Sequence, residues 1–380
     1  MGSGSRPLPK KLKKNEVLAR PAPGGGRGVG GTGGGRGGTA WIIAGLFLGY
    51  GFYNTLRGSF PNQMHRIAAD LDIPISQIGL PSSLFSAFYG VGKFFGSILT
   101  DYLPCAEFHA LGVLLCGINV ASIGLCSGIT SIASMWGLQG ALQALGWPFL
   151  ARVLLDKLPK DQCAKYWGLL SMACNVGAMA APYCAVMAAS LGMSWRSTLC
   201  SFGACSALVA LLVHLMLRRG GARGRPKAAA AAAESGSGGD AKGAKADPGK
   251  MVLRAALPGI LCNPVLVALC LCNSLSFGAS KCTKEWGSMY LRGTSLAATE
   301  MQSATLLFWA EVGGSLGAAL SGVVSSSLGG RHALTCLLSA LLGLASTSVL
   351  ALRASSWTGQ GDGPLPFGVA CALQACSLAG

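Results

Sequence analysis

A single arginine sets the terms for this chain. From Trp41 to Leu56 the sequence is apolar or uncharged, and Arg57 follows without a break before the run continues to His65. A stretch of that length is a membrane span, since about 20 apolar residues cross the hydrocarbon of a bilayer. A guanidinium inside such a span costs roughly 2.5–3.5 kcal/mol on insertion scales. A chain that keeps one there is using it, most simply to hold an anion. The bland alternative is a side chain that snorkels to the interface.

The rest of the chain fits a polytopic membrane protein. Charged residues make up 12% of its 380 residues, 51% are hydrophobic, and the mean hydropathy is +0.50. A soluble domain carries about 25% charged residues. The formal net charge of +16 is crowded into the first forty residues and the stretch from Arg218 to Arg254. That placement fits cytosolic segments obeying the positive-inside rule and argues against nucleic-acid binding. The 15 cysteines lie mostly inside apolar spans, with no paired metal knuckle, and the four histidines are scattered. Buried cysteine is a small hydrophobe, so neither a disulfide framework nor a metal site is expected, and no cofactor is implied.

Nine complete spans and a partial tenth read at about 41–65, 77–103, 108–127, 130–155, 164–190, 196–217, 257–291, 299–327, 333–352 and 365–380. This gives an all-α fold with a basic glycine-rich tail over 1–40, a six-helix bundle over 41–217, a basic linker over 218–256 and part of a second bundle over 257–380. Tail and linker flank an even number of spans, so both fall on one side, the cytosol. Lys157, Lys160 and Lys165 after the fourth span agree. The last apolar segment is cut short at Gly380, and a truncated second bundle is expected. The run from Trp41 is too long for the apolar core of a secretory signal. The tail reads as a cytosolic extension, with an organelle transit segment as the alternative.

Six spans, a basic linker and further spans are the plan of the major facilitator superfamily, whose halves are built from repeats. Within it the chain resembles the sugar-phosphate/inorganic-phosphate antiporters. The resemblance is carried by Leu48 to Phe60, by Tyr89-Gly90-Val91-Gly92-Lys93 through Asp101, by Leu142 to Pro148 and by Ser194-Trp195-Arg196. In the second half it returns at Phe277-Gly278, Glu285-Trp286-Gly287, Glu311 to Gly314 and Arg331-His332. It implies alternating access, exchange of a sugar phosphate (glucose 6-phosphate foremost) for inorganic phosphate, and the endoplasmic reticulum membrane. A plastid envelope is the other location.

Arg57 matches the arginine that the resemblance assigns to substrate phosphate. Its planar fork suits phosphate oxygens and stays charged when partly desolvated. Tyr50, Tyr53 and Arg57 follow helical spacing and are expected on one face, with Asn54 a turn earlier. The family implies a second basic residue six positions before Trp286, where this chain has Ser280. Lys281 follows by one and Lys284 stands further on, so these two are the candidates from the second half. Lys93 either raises the positive potential of the cavity or pairs with a carboxylate.

Other residues read as gating or structural. Asp101 closes the second span and is expected to act by charge pairing and capping. Gly146-Trp147-Pro148 in mid-span predicts a kinked fourth helix, since Pro148 removes a backbone bond. Asn175 and Pro182 predict irregularity in the fifth. Arg196, Trp286 and Arg331 complete the set, with Glu311 either paired to Lys281 or Lys284 or protonated in the core. No nucleophile–base pair and no phosphate-binding glycine loop with lysine points to an enzyme or an ATP-driven pump. The competing functions are a non-transporting membrane sensor or assembly partner, a carrier of another organic anion, and a proton-coupled sugar symporter. The symporter is disfavoured because the first span brings an arginine and no acid.

Overall fold

The computed structural model describes residues 36–158, 160–222, 262–268, 285–287 and 299–327, with isolated positions between 270 and 278 and between 334 and 349. Lys281, Lys284 and Arg331, with Ser280, lie outside the described residues.

Every regular element among the described residues is helical. Helix α1 spans Arg36–Ser59. Pro61 then converts the chain to a short 3₁₀ turn, Pro61–Gln63, whose first position tolerates the missing N–H. Helix α2, Met64–Asp70, follows, then α3, Ile75–Leu99, and α4, Cys105–Ile123. The fourth span is two helices, α5 (Ile129–Ala144) and α6 (Gly146–Lys157), divided at Leu145. The break falls where Gly146 and Pro148 weaken the backbone ladder, as the sequence predicts. Helix α7, Lys160–Ser190, keeps Pro182 inside it.

The α7–α8 turn shows local chemistry setting boundaries. Gly192 takes φ +74 and Met193 N–H bonds back to the Ala188 carbonyl at 3.0 Å, a left-handed termination suited to glycine. Ser194 then caps α8, Trp195–Arg219, its Oγ accepting from Ser197 N–H at 3.2 Å. Helix α9, Glu300–Ser327, lies within a residue of the expected eighth span.

Helix α3 packs along α5, α4 along α8, and α1 along both α7 and α8, while α9 lies on α7. Two apolar clusters fill the first half. One gathers Phe60, Phe85, Trp136 and Trp195 at the end away from the basic linker, here the distal end. The other gathers Leu46, Phe149, Leu150 and Leu217 at the linker end. Contact between α1 and α7 is close because Gly177 has no side chain: a Cβ there would run into the Gly51 carbonyl. Thr55 Oγ1 uses that proximity to donate to the Gly177 carbonyl at 3.1 Å.

Large apolar side chains also cover the outside. Phe95 on α3, Ile118 on α4 and Leu208 on α8 are 56%, 54% and 61% exposed. An apolar exterior around a packed interior is what a lipid solvent selects. Among the described residues three helical stretches, Cys105–Ile123, Tyr166–Ser190 and Trp195–Arg219, are long and apolar enough to cross a membrane.

Candidate anion-binding site

Arg57 sits in the last turn of α1, half-buried, facing α3. Its guanidinium carbon lies 4.6 Å from the ring centroid of Tyr89 and 5.1 Å from that of Phe85. The two rings are themselves stacked at 5.8 Å. Ring faces hold a guanidinium electrostatically while leaving its N–H groups free to donate. Accordingly, Nη2 of Arg57 is buried and has no hydrogen-bond partner among the described residues. Leaving a buried donor unmet costs about 1–3 kcal/mol, a cost that an arriving anion removes.

Lys93 lies one turn beyond Tyr89, and its Nζ is 4.8 Å from the same ring centroid. One tyrosine therefore carries two cations, from α1 and from α3. Sequence reasoning missed Tyr89 and Phe85 as parts of the site. The signal was present, because Phe85, Tyr89 and Lys93 follow one another at four-residue spacing on one face of α3.

Tyr53 and Asn54 are placed behind this group. The Tyr53 side chain is 3% exposed, and its hydroxyl donates to the His109 carbonyl at 3.4 Å. It enters the α4 packing through the space left by Gly112. Gln143 from α5 donates to the Tyr53 carbonyl at 2.9 Å. Tyr53 thus braces α1 from inside the bundle and departs from the expected shared face. About 100° per residue separates Tyr50 and Arg57 by only about 20°, but turns Tyr53 roughly 60° from Tyr50. Tyr50 instead meets Trp147, centroids 5.1 Å apart, and Trp147 meets Trp167 edge-on. Asn54 donates to the Tyr50 carbonyl at 2.8 Å and accepts from the Cys174 thiol at 3.2 Å, so it ties α1 to α7. Asn175 is half-buried on α7.

The gating and structural residues fall at the two ends. At the linker end Asp101 meets Arg152 Nη2 at 3.3 Å, and Arg152 Nε bonds Asp156 at 2.9 Å. Arg152 was not singled out in the sequence, since Asp101 is distant along the chain and only Asp156 lies within a turn of it. At the distal end Arg196 donates to the carbonyls of Gly124 and Cys126 at 3.1 and 2.6 Å and pairs with Asp70 at 3.6 Å. From the second half, Trp286 packs against Gly79, Glu285 accepts from Ser82 Oγ at 3.3 Å, and Glu311 is 6% exposed. Among the described residues no three or more histidine, cysteine or acidic side chains gather to hold a metal.

Comparison with known proteins agrees with this architecture. The family model of the Major Facilitator Superfamily matches residues 42–379. The chain is 28% identical to the membrane sensor protein UhpC of Escherichia coli over 290 residues, 76% of this chain and 64% of that protein. It is 33% identical to a probable hexose phosphate transport protein of Chlamydia pneumoniae over 141 residues, 37% and 31% of the two chains. It thus spans less than two thirds of the length of either relative. Among solved structures, a bacterial homologue of the human lysosomal transporter Spinster, inward-facing and unoccupied, superposes with a TM-score of 0.66 at 16% identity, covering 90% of this chain and 74% of that one. With its helical fold and the family match over most of its length, the chain belongs to the Major Facilitator Superfamily and is an integral, multi-pass membrane protein.

Proposed function

We propose that the chain exchanges an organic phosphate for inorganic phosphate across a membrane, with a sugar phosphate, glucose 6-phosphate first, as the organic substrate. The observation that carries this reading is the buried Nη2 of Arg57, which has no hydrogen-bond partner among the described residues, beside a second cation on the same tyrosine. A phosphate dianion needs two positive groups and several donors, and a guanidinium fork supplies a planar pair. The similarity to a probable hexose phosphate transport protein supports a phosphorylated sugar as the cargo. In this reading Arg57 and Lys93 hold the phosphate from the first half, and Lys281 or Lys284 contributes from the second. Tyr53 and Asn54 fix the height of Arg57. The chain would comprise a tail over 1–40, a six-helix half over 41–217, a basic linker over 218–256 on the cytosolic side and second-half spans over 257–380, in the endoplasmic reticulum membrane.

No covalent step is required. The two halves rock about the site, and the cationic cavity returns unfavourably without an anion, which makes the process an exchange. A direct test loads proteoliposomes with inorganic phosphate and supplies labelled glucose 6-phosphate outside. Uptake that needs internal phosphate and is lost in Arg57→Ala supports the proposal. Uptake by correctly inserted Arg57→Ala equal to that of the unaltered protein sinks it.

A second reading is favoured by the similarity to a membrane sensor protein over three quarters of the chain. In it the same Arg57 site binds a sugar phosphate, and the bound state is reported to a partner without turnover. Phosphate-protected thermal unfolding with no exchange by the full protein would select that reading.

A further inference from the structure

The two halves meet at the distal end through side chains that the anion site leaves unused. His65 on α2 places Nε2 3.0 Å from Glu300 Oε1, at the first residue of α9. Tyr183 of α7 donates to Thr305 Oγ1 at 3.3 Å, and its ring meets Phe308 edge-on at 5.5 Å. A small polar pocket lies behind His65 and Glu300, with Gln63, Pro182 and Ser303 in its wall. Ser303 is 3% exposed, and its Oγ has no hydrogen-bond partner among the described residues.

Helix α9 buries one face near this contact, while Met301 and Trp309 on it are 49% and 44% exposed. Ala304, Leu306 and Ala310 are buried, whereas Leu316 and Leu320, nearer the linker end, are 56% and 58% exposed. The contacts of His65 and Tyr183 with α9 hold the two halves together at the distal end. Helix α2 is fixed to the first half by three bonds. Arg66 donates to the Met193 carbonyl at 2.7 Å, Trp195 Nε1 donates to Asp70 at 2.9 Å, and Arg196 pairs with the same carboxylate. His65 thus moves with the first half and Glu300 with the second.

We infer that His65 and Glu300 form the latch of the distal gate, seconded by Tyr183 and Thr305, and that releasing it opens the anion site to the distal face. The inference rests on the rocking of two halves proposed above. The latch is weak enough to be made and broken in every cycle. The side chains of His65 and Glu300 remain 19% and 31% exposed, so water competes for both. A fully dry pair would hold one state too firmly for exchange, because a population shift is limited by the energy difference between states.

Ser303 offers a reporter. It sits behind the latch, and Ser303→Cys removes no hydrogen bond found among the described residues. The chain carrying Ser303→Cys is reconstituted without substrate and treated with a membrane-impermeant maleimide from the distal face, with the unaltered protein as thiol background. Labelling of Cys at this position is expected to be slow. Adding His65→Ala or Glu300→Ala should accelerate it roughly tenfold, the shift expected from losing one charge-assisted hydrogen bond. The swap His65→Glu with Glu300→His should return it to the slow rate. Equal rates in all variants overturn the latch. Acceleration that the swap does not reverse also overturns it, assigning the effect to lost packing. The readout needs no exchange, so a protein that gates as described but carries no sugar phosphate keeps the latch and loses the transport reading.

Discussion

Two arginines near the distal half of the molecule, Arg57 and Arg196, look alike in sequence: each follows a hydrophobic or aromatic neighbour, at the end or the start of a span. Their surroundings are opposite. Arg196 is occupied by two carbonyls, a carboxylate and the ring of Trp195, 4.3 Å from its guanidinium carbon. Arg57 is held against the rings of Phe85 and Tyr89, and a buried nitrogen is left without a partner among the described residues. A guanidinium that is bonded to the protein's own carbonyls and carboxylate is a fastening. One held by aromatic faces keeps its donors for something that comes and goes.

That contrast makes its strongest prediction at Arg57. Arg57→Ala should lower phosphate affinity by about 100-fold or more, since charge-assisted bonds to an anion are worth about 1.5–3 kcal/mol each. Thermal stability should be unchanged or slightly higher, because a buried unmet donor disappears with the side chain. Arg57→Lys should recover little, a point charge being a poor replacement for the fork. Isothermal titration with inorganic phosphate, paired with thermal unfolding in detergent, reads both quantities. A loss of stability in step with the loss of binding would erase the distinction between the two arginines.

Arg196→Ala should give the reverse pattern. Removing it strands the carbonyls of Gly124 and Cys126 and loosens Asp70 from α8. The side chain is 36% exposed and water takes over part of this role, so the cost is about 1–2 kcal/mol of stability. Phosphate affinity of the folded fraction should stay within about twofold, a difference of roughly 0.4 kcal/mol. A clear fall in affinity without unfolding would move Arg196 into the binding machinery.

These environments were legible in the sequence only in part. The existence and order of the long helices were readable from apolar length, and the division at Leu145 from Gly146 and Pro148, but the first expected span, 41–65, ran past the end of α1 at Ser59 because Pro61 stops that helix. Arg57 was readable as an anomaly, a charge where charge is costly. The occupants of each arginine were not readable. Asp70 and the carbonyls of Gly124 and Cys126 reach Arg196 only after α2, α4 and α8 have packed, and Arg152 reaches Asp101 only after α6 has crossed α3. Tyr53 shows a finer limit. Helical spacing put it with Tyr50 and Arg57, but roughly 60° of arc is enough to carry a side chain from a cavity edge into a packed core. The gap at Gly112 that admits its hydroxyl belongs to another helix.

Tyr89 sharpens the comparison from the ring side. Tyr89→Leu removes the ring that both Arg57 and Lys93 rest on, and the expected loss is about fivefold in phosphate affinity, in line with about 1 kcal/mol for such a contact. Tyr89→Phe keeps the face and should behave like the unaltered protein. If Phe fails as badly as Leu, the hydroxyl rather than the ring is what matters, and the aromatic cradle is not what keeps the donors of Arg57 available.

The smallest effect is expected at the linker end, where the partners found for Arg152 among the described residues are half-exposed carboxylates rather than backbone carbonyls. Asp101 and Asp156 are 55% and 46% exposed at the side chain. Pairs of that kind contribute about 0–1 kcal/mol, less in salt. Arg152→Gln should therefore shift thermal unfolding only slightly, and the shift should fade as ionic strength rises. The shift from Arg196→Ala should persist in high salt, because stranded carbonyls are not screened. A salt-insensitive loss at Arg152 comparable to that at Arg196 would show that this pair holds α3 and α6 together as firmly as the distal fastening.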